Sequence, residues 1–228
     1  MAGYSNQKVF ILYEDEHLLV VKKPFGMESQ RGKSFAMDQE SLLRGYLSSK
    51  TKTDNPYLAV VHRLDRPVAG VMVYAKTKKA AADLSAQLQT ENFSKKYEAV
   101  VSGIVPACEG RLEDYLTADK RTGTTSVSSK ADPLAKKAVL TWKEIAREEV
   151  KSGEILLPYA SNPSPEGGWH FLSIVLETGR HHQIRAQLSH AGMPIAADVR
   201  YGGAKVHGPR GAIALCAAQL SFRHPITG

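Results

Sequence analysis

The sequence predicts a mixed α+β fold in which helices flank a largely antiparallel sheet. Near the start, short apolar segments with strand character follow one another directly, at residues 9–13 and 18–22. Only three segments of the chain show clear helical spacing of apolar residues. Because strands and helices do not alternate regularly, the pattern argues against a doubly wound parallel sheet.

The first half of the chain is predicted in five further elements. Residues 14–16 form an acidic turn between the two opening strands. Apolar side chains at helical spacing predict a helix within residues 37–49. Predicted strands at 57–61 and 70–75 follow, and residues 77–90 then form a helix. Thr77 is the predicted N-cap of that helix, because its hydroxyl can accept from a free backbone N–H group.

In the second half of the chain, strands and a helix can be predicted near the beginning and the end, but less clearly in the middle. Residues 95–105 predict a strand that ends in a turn, and residues 169–179 predict a strongly apolar strand. A short helix is predicted within residues 180–192, closed by Gly192. The closing segment, residues 212–225, returns to strand character.

Residues 107–170 are the least regular part of the sequence. Their content of Ser, Thr, Gly and Pro predicts loops between short strands, with residues 138–142 as the clearest strand. We expect this insert-like region to belong to a single domain that covers residues 1–228.

Composition indicates an ordinary globular protein whose positive charge would allow it to bind a polyanion. The 228 residues include 43% hydrophobic and 23% charged residues, and the net charge is +7. No apolar run reaches the length of a membrane span, and the start has no signal-peptide core. Cys108 and Cys216 lie far apart, which predicts free, buried thiols in a reducing cytoplasm.

The positive charge is distributed in scattered pairs instead of one block. This arrangement suits a folded surface that follows phosphate groups, although it is equally typical of a solvated protein face. The pairs are Lys78-Lys79, Lys95-Lys96, Lys120-Arg121 and Lys136-Lys137.

The segment "VVHRLDRPVAGVMVYAKT" places Asp65 between Arg63 and Arg66 at the mouth of an apolar strand. Strands on both sides of such a junction can hold a side chain rigidly at the floor of a cleft. The alternative is a surface turn with a local ion pair, a common arrangement that contributes little to stability.

The segment "LETGRHHQIRAQL" carries a second set of polar residues. We expect a strand to end at Gly179 and a helix to begin at His181, so that Arg180, His182 and free amides favour an anion. Arg185 would share a helix face with His181 and lie beside an apolar stripe. A partly buried cation needs an anionic partner, and Asp65 is the candidate.

Two further interpretations concern single residue types. Tyr97 in "SKKYEAVV" lies on a predicted strand, where it is either functional or a half-buried sheet tyrosine. Zinc at His181, His182 and His190 is a poor hypothesis, because adjacent histidines on a helix diverge and no further ligand completes the set. We therefore expect no metal.

Several motifs in order along the chain resemble the RluA-type family of RNA pseudouridine synthases. "HRLDRPVAGVMVYAKT" is similar to the catalytic motif of that family, and "KKYEAVVSG" to its lysine-x-tyrosine-x-alanine strand. "ILYEDEHLLVVKKPFGM" resembles the opening strand pair, "ETGRHHQIRAQLSHAGMPIAADVRYG" the third motif, and "ALCAAQLSFRHPITG" the closing strand. A series of ordered motifs is far more specific than one short match.

The resemblance implies a function and roles for individual residues. Asp65 corresponds to the catalytic aspartate, Tyr97 to the tyrosine against the target base, and Arg185 to the basic partner of the aspartate. Arg63 corresponds to the arginine that enters the space left by the flipped nucleotide. Leu64 and Leu215 are candidate pocket residues. The other candidate RNA-binding residues are His62, Arg66, Lys95, Lys96, Arg180 and His182.

The implied protein is an isomerase built on the pseudouridine synthase core, acting on ribosomal or transfer RNA. A monomer is the default expectation, and the two distant cysteines predict the cytoplasm. We expect no cofactor, no nucleotide, no membrane association and no separate N-terminal RNA-binding domain. The alternatives are a non-catalytic RNA-binding or ribosome-assembly module on the same fold and a glycoside hydrolase. A hydrolase normally needs two carboxylates, and Glu177 is the nearby second candidate.

The chain departs from the family pattern at three places. Val68-Ala69-Gly70, preceded by Pro67, stands where threonine-serine-glycine is usual after the aspartate, which removes hydroxyl groups beside the site. Gln187 stands where a histidine is common, and Ala197 where a glycine is common. None of these changes removes a catalytic group.

Overall fold

A computed structural model describes residues 9–32, 37–163, 165–209 and 211–228. In these residues the predicted α+β class is confirmed, since the strand pairs given below are antiparallel and helices accompany them. The chain divides into two compact units. The first consists of Met1–Phe93 with Ser221–Gly228, and the second of Ser94–Leu220.

The first unit contains a small sheet and two helices. Its sheet has the order β1-β2-β4, and β3 also pairs with β4. All of these pairs are antiparallel. The elements are β1 (Phe10–Glu14), β2 (Leu18–Lys23), α1 (Gln39–Thr51), β3 (Ala59–Val60), β4 (Ala69–Ala75) and α2 (Lys78–Gln87). The strand predicted at residues 57–61 is thus only two residues long.

Side-chain caps explain where both helices of this unit begin. The carboxylate of Asp38 accepts from the backbone N–H of Ser41 at 2.9 Å, and the Thr77 hydroxyl accepts from that of Ala80 at 3.2 Å. Each cap satisfies one N–H group that has no partner within its helix. The predicted N-cap at Thr77 is therefore confirmed.

The second unit is built around a larger sheet in the order β10-β5-β9-β8-β6-β7. The pairs from β5 through β7 in this order are antiparallel. Its elements are β5 (Ser94–Ser102), β6 (Glu109–Asp119), β7 (Thr124–Ser128), β8 (Lys136–Glu144), α3 (Gly153–Ala160), β9 (Trp169–Leu176), α4 (Gln183–His190) and β10 (Leu215–Ser221).

The prediction of loops between short strands for residues 107–170 is wrong in the length of the strands. β6 is an 11-residue strand, and its side chains alternate between more and less exposed positions over most of its length. Charged residues occupy most of the exposed positions, so the strand lacks the apolar run that would have identified it. Residues 138–142, predicted as the clearest strand, lie inside β8.

Two other structural findings concern the cysteines and membrane association. Both cysteines are free, but Cys108 is exposed, so the prediction of two buried thiols is wrong for it. Cys108 lies in a bend before β6, where its side chain reaches the surface. Within the described ranges, no helix is long and apolar enough to cross a membrane.

The hydroxyl of Tyr159 offers a test of packing in the second unit. Tyr159 on α3 is fully buried, and its hydroxyl has no hydrogen-bond partner among the described residues. A buried hydroxyl without a partner costs about 1–3 kcal/mol. We therefore expect Tyr159→Phe to raise the free energy of unfolding by up to ~1 kcal/mol, measured by urea denaturation. A loss of stability would show that the hydroxyl is bonded in solution.

Candidate active site

The Asp65 loop is held by paired hydrogen bonds to the segment that follows β2. The Ser29 hydroxyl accepts from the N–H of Leu64 at 3.0 Å and donates to the carbonyl of Leu64 at 2.8 Å. The Asp65 carbonyl accepts from the N–H of Val68 at 3.0 Å, which closes a turn. The backbone on both sides of the carboxylate is therefore fixed by bonds that do not use the carboxylate itself.

Arg66 adds a second reciprocal pair. The Gly26 N–H donates to the Arg66 carbonyl at 2.7 Å, and Arg66 Nε donates to the Gly26 carbonyl at 3.0 Å. Gly26 has a φ of 77°, a conformation that favours glycine. Arg63 and Arg66 are exposed while Asp65 is partly buried. The two arginines of the motif thus reach the surface on either side of a more protected carboxylate.

A buried lysine lies close to this loop. Lys23, the last residue of β2, is fully buried and donates from Nζ to the carbonyls of Pro24 at 2.9 Å and Met27 at 2.7 Å. Burial lowers the pKa of Lys23 to about 7, and the negative charge of Asp65 opposes this lowering. Sequence analysis gave Lys23 no role and missed its burial near Asp65.

His62 and Leu64, two other predicted site residues, pack into the first unit. His62 Nε2 accepts from the N–H of Val73 at 3.2 Å, and its ring meets Phe93 edge-to-face at 5.8 Å. Leu64 is buried. These contacts give both residues a structural role, and their contact with RNA or substrate stays a prediction.

In the second unit, Arg185 is a buried cation with a carboxylate partner that sequence reasoning missed. Its Nε and Nη2 donate to the two oxygens of Asp198 at 2.6 and 2.8 Å, and both side chains are buried. The Arg185 guanidinium also lies over the ring of Tyr201, 4.7 Å from its centroid. Asp198 and Tyr201 belong to "ADVRYG", inside the third motif. The motif match therefore included both residues, but sequence analysis assigned neither of them a role.

The predicted start of the last helix is wrong by two residues. α4 begins at Gln183, and its N-cap, His182, has a left-handed φ of 49°. His181 lies outside the helix and therefore does not share a helix face with Arg185. The rings of His181 and His182 stack with centroids 3.7 Å apart, because the left-handed backbone turns them toward each other instead of apart. Within the described ranges, no cluster of three His, Cys, Asp or Glu residues suits a metal.

His182 belongs to a hydrogen-bonded group. Its Nδ1 lies 2.7 Å from the Tyr201 hydroxyl, and His181 Nδ1 lies 2.9 Å from the Thr125 hydroxyl. Burial, with help from the positive charge of Arg185, lowers the pKa of His182 to about 3. His182 is therefore neutral near pH 7 and cannot serve as a cationic phosphate ligand there.

The remaining predicted residues of this unit lie on strands or at their ends. Tyr97 is buried on β5, opposite Ile174 of β9, and Leu215 is buried at the start of β10. Burial lowers the pKa of Lys95, and Lys96 is partly buried beside it. Arg180 is exposed and donates from Nε to a backbone carbonyl at 2.9 Å. Their roles toward RNA stay predictions.

Comparison with known protein families gives a match over most of the chain. Residues 17–190 match the family described as RNA pseudouridylate synthase. This range includes Asp65, Tyr97 and Arg185. It also includes most of both structural units.

Individual relatives agree with this match. The chain is 30% identical over 224 residues to tRNA pseudouridine synthase C of Yersinia pestis, covering 96% of this chain and 82% of that protein. It is 34% identical over 194 residues to ribosomal large subunit pseudouridine synthase D of Pseudomonas aeruginosa, covering 85% of this chain and 53% of that protein. The chain thus spans only about half the length of some relatives.

A solved structure supports the fold independently. The structure of human RNA pseudouridylate synthase domain containing 1 matches with a TM-score of 0.68 and 19% identity, covering 96% of this chain and 80% of that one. At this identity the likeness establishes the fold alone. With the sequence match over residues 17–190, it follows that the chain belongs to the RluA-type RNA pseudouridine synthases, the isomerases that convert uridine in RNA to pseudouridine.

Proposed function

We propose that this chain isomerises specific uridines of transfer or ribosomal RNA, with Asp65 as the catalytic carboxylate. The observation that carries the proposal is the construction of the Asp65 loop. Its backbone is fixed at Leu64 and Arg66 by reciprocal hydrogen bonds, while Asp65 itself is only partly buried. Such preorganisation is what a reacting group needs, whereas a surface turn does not need it.

The reaction needs one carboxylate and no external reagent. The bond from uracil N1 to C1′ of the ribose breaks, the base turns, and a bond from C5 to C1′ forms. The proton on C5 leaves to solvent and N1 takes one up, so atoms and electrons balance. Asp65 either attacks C1′ or removes the neighbouring 2′ proton. Both routes begin from the ionised carboxylate.

A buried lysine of the same unit interacts with the charge of Asp65. Lys23 supplies a buried cation in the same unit, where a charge acts through a lower dielectric than in water. Its three ammonium protons are directed partly at backbone carbonyls, which hold it in place. We infer that Lys23, when protonated, attracts the Asp65 carboxylate, while Arg63 and Arg66 are exposed to RNA at the surface.

Binding must also extract the target nucleotide from its stack, at a cost of a few kcal/mol. We propose that the exposed side chain of Arg63 fills the gap that the nucleotide leaves, as the family resemblance implies. Tyr97 would offer a flat face to the freed base, an interaction worth ~1–3 kcal/mol. Lys95, Lys96 and Arg180 would contact phosphates, and Arg185 would act as the basic residue of the site.

Transfer RNA is the first substrate to test. The relative that this chain covers over 82% of its length is named a tRNA pseudouridine synthase, whereas the rRNA enzyme is covered over 53%. We propose that the protein acts as a monomer in the cytoplasm, where both RNAs occur. No cofactor enters the proposed reaction, because the isomerisation exchanges no electrons with another molecule.

Tritium release from RNA labelled at uridine C5 tests the proposed activity. We expect the wild type to release tritium to water from tRNA or rRNA without added metal or nucleotide. Asp65→Asn should lower the rate at least about a thousandfold, because the amide can neither attack C1′ nor remove a proton. Asp54→Asn, at an exposed loop position of the same unit, is the matched control and should retain full activity.

The same assay separates the alternatives. If neither wild type nor Asp65→Asn releases tritium from free RNA or precursor particles while both retain RNA affinity, the chain is a non-catalytic RNA-binding module. If free uracil accumulates instead of pseudouridine, the reaction is hydrolysis and the isomerase proposal is wrong.

The pH dependence of stability tests the buried Lys23. Its pKa is about 7 in the folded protein, against an ordinary value of 10.5 for an exposed lysine. Between these values the unfolded chain binds more protons, so stability should rise with pH at a slope of up to ~1.4 kcal/mol per pH unit from this group. Below pH 7 both states are protonated and the contribution is flat.

Urea denaturation between about pH 6 and pH 10 measures this slope for wild type, Lys23→Met and Lys79→Met. Lys79 is exposed on α2, so its variant should follow the wild type. Lys23→Met should lack the rise. An equal rise in Lys23→Met would mean that another group is responsible and that Lys23 is not the titrating residue.

A further inference from the structure

We propose that Tyr201 is a positioning residue for Arg185, with its ring fixing the guanidinium plane and its hydroxyl anchoring that ring to β7. This inference deepens the proposed function, since it rests on Arg185 taking part in that reaction. It assigns a role to a residue outside the 17–190 range of the family match.

The pair with Asp198 fixes only one edge of the guanidinium. Arg185 donates through Nε and Nη2, so the bond is bidentate and lies in the guanidinium plane. It uses two of the five N–H groups of the guanidinium. A planar bond along one edge still permits the plane to tilt about that edge.

The ring of Tyr201 adds a second contact, made with the central carbon of the guanidinium. This carbon stands over the ring, 4.7 Å from the ring centroid. A cation over the face of an aromatic ring is attracted by the negative charge of that face, more strongly when water is excluded. Both residues are buried. An edge contact from Asp198 and a face contact from Tyr201 together define the direction of the Nη1 edge.

The Tyr201 hydroxyl is held on two sides. It accepts from the backbone N–H of Thr125 at 2.8 Å and lies 2.7 Å from Nδ1 of His182. Because the N–H of Thr125 can only donate, the hydroxyl proton can be directed at His182. The low pKa of His182 agrees with an unprotonated Nδ1 that accepts this proton. The ring therefore cannot swing away from Arg185 without breaking two hydrogen bonds.

Thr125, which holds the Tyr201 hydroxyl, is itself held in place, because the β6–β7 hairpin packs against the buried cluster that contains Tyr201. Leu116 of β6 and Ala186 of α4 form a buried cluster with Tyr201. Arg200 Nη1 donates to the carbonyl of Gly123 at 3.3 Å, near the hairpin turn. The hairpin, the Val199–Tyr201 turn and α4 are thus tied together around the cation.

A double-mutant cycle tests the proposal. Tyr201→Leu should lower kcat for tritium release about tenfold, with KM for RNA changed less than about twofold, since the ring orients Arg185 and binds no RNA. In an Arg185→Lys background, Tyr201→Leu should change kcat less than about twofold, because an ammonium has no plane to orient. An equal loss in both backgrounds would overturn the proposal. Tyr159→Phe is the control for general repacking.

Two further variants keep the volume of the ring, so they test the proposal even if Tyr201→Leu does not fold. Tyr201→Phe retains the ring face and should keep kcat within about threefold of wild type. Replacing Tyr201 by trifluorophenylalanine keeps nearly the same shape but withdraws charge from the ring face. We expect kcat to fall further in this variant than in Tyr201→Phe. Equal rates in the two would overturn the role of the ring face.

A measurement that does not depend on activity separates this proposal from the proposed function. In ¹⁵N NMR spectra of the arginine side chains, the Arg185 Nη protons should give separate signals in wild type, because rotation of the group is restricted. Tyr201→Phe should retain them, and trifluorophenylalanine in place of Tyr201 should broaden or average them. Unchanged signals in the latter would refute the positioning role. Absence of tritium release by wild type would refute only the activity.

Discussion

The need to compensate buried charge organises the candidate residues of both units. In the second unit, a guanidinium inside the protein would cost several kcal/mol if left alone, and the bidentate bond to Asp198 offsets that cost. The pair also neutralises most of the charge that Arg185 could offer elsewhere. The catalytic role proposed for Arg185 is therefore better described as directed hydrogen-bond donation than as a diffuse positive field.

In the first unit, the charge of the buried Lys23 is compensated by neutral backbone carbonyls. Lys23 directs its ammonium at the carbonyls of Pro24 and Met27, so the backbone after β2 is shaped around the cation. That same backbone provides Ser29, which holds Leu64 beside the aspartate. Burying one lysine thus orders the segment that orders the Asp65 loop. This coupling explains why the loss of hydroxyl groups at Pro67-Val68-Ala69 need not loosen the site.

Parts of this protein could be predicted from the sequence because they depend on local rules. The cap at Thr77 follows from the chemistry of free N–H groups, and the apolar strands β2, β4 and β9 follow from their composition. β6 could not be predicted in this way, because an exposed strand with charged side chains lacks an apolar run. Its pairing with β8 on one side and β7 on the other supplies the order that its composition hides.

The sequence by itself determined the α+β class, the ordered motifs and the candidate residues Asp65, Tyr97 and Arg185. Only the tertiary structure decided the environment of these groups. The carboxylate bonded to Arg185 lies thirteen positions along the chain, past a turn whose path no local rule specifies. The contact of Tyr201 with Thr125 joins segments 76 positions apart. Such contacts depend on how β strands pair across the sheet, and residue spacing carries no direct record of that pairing.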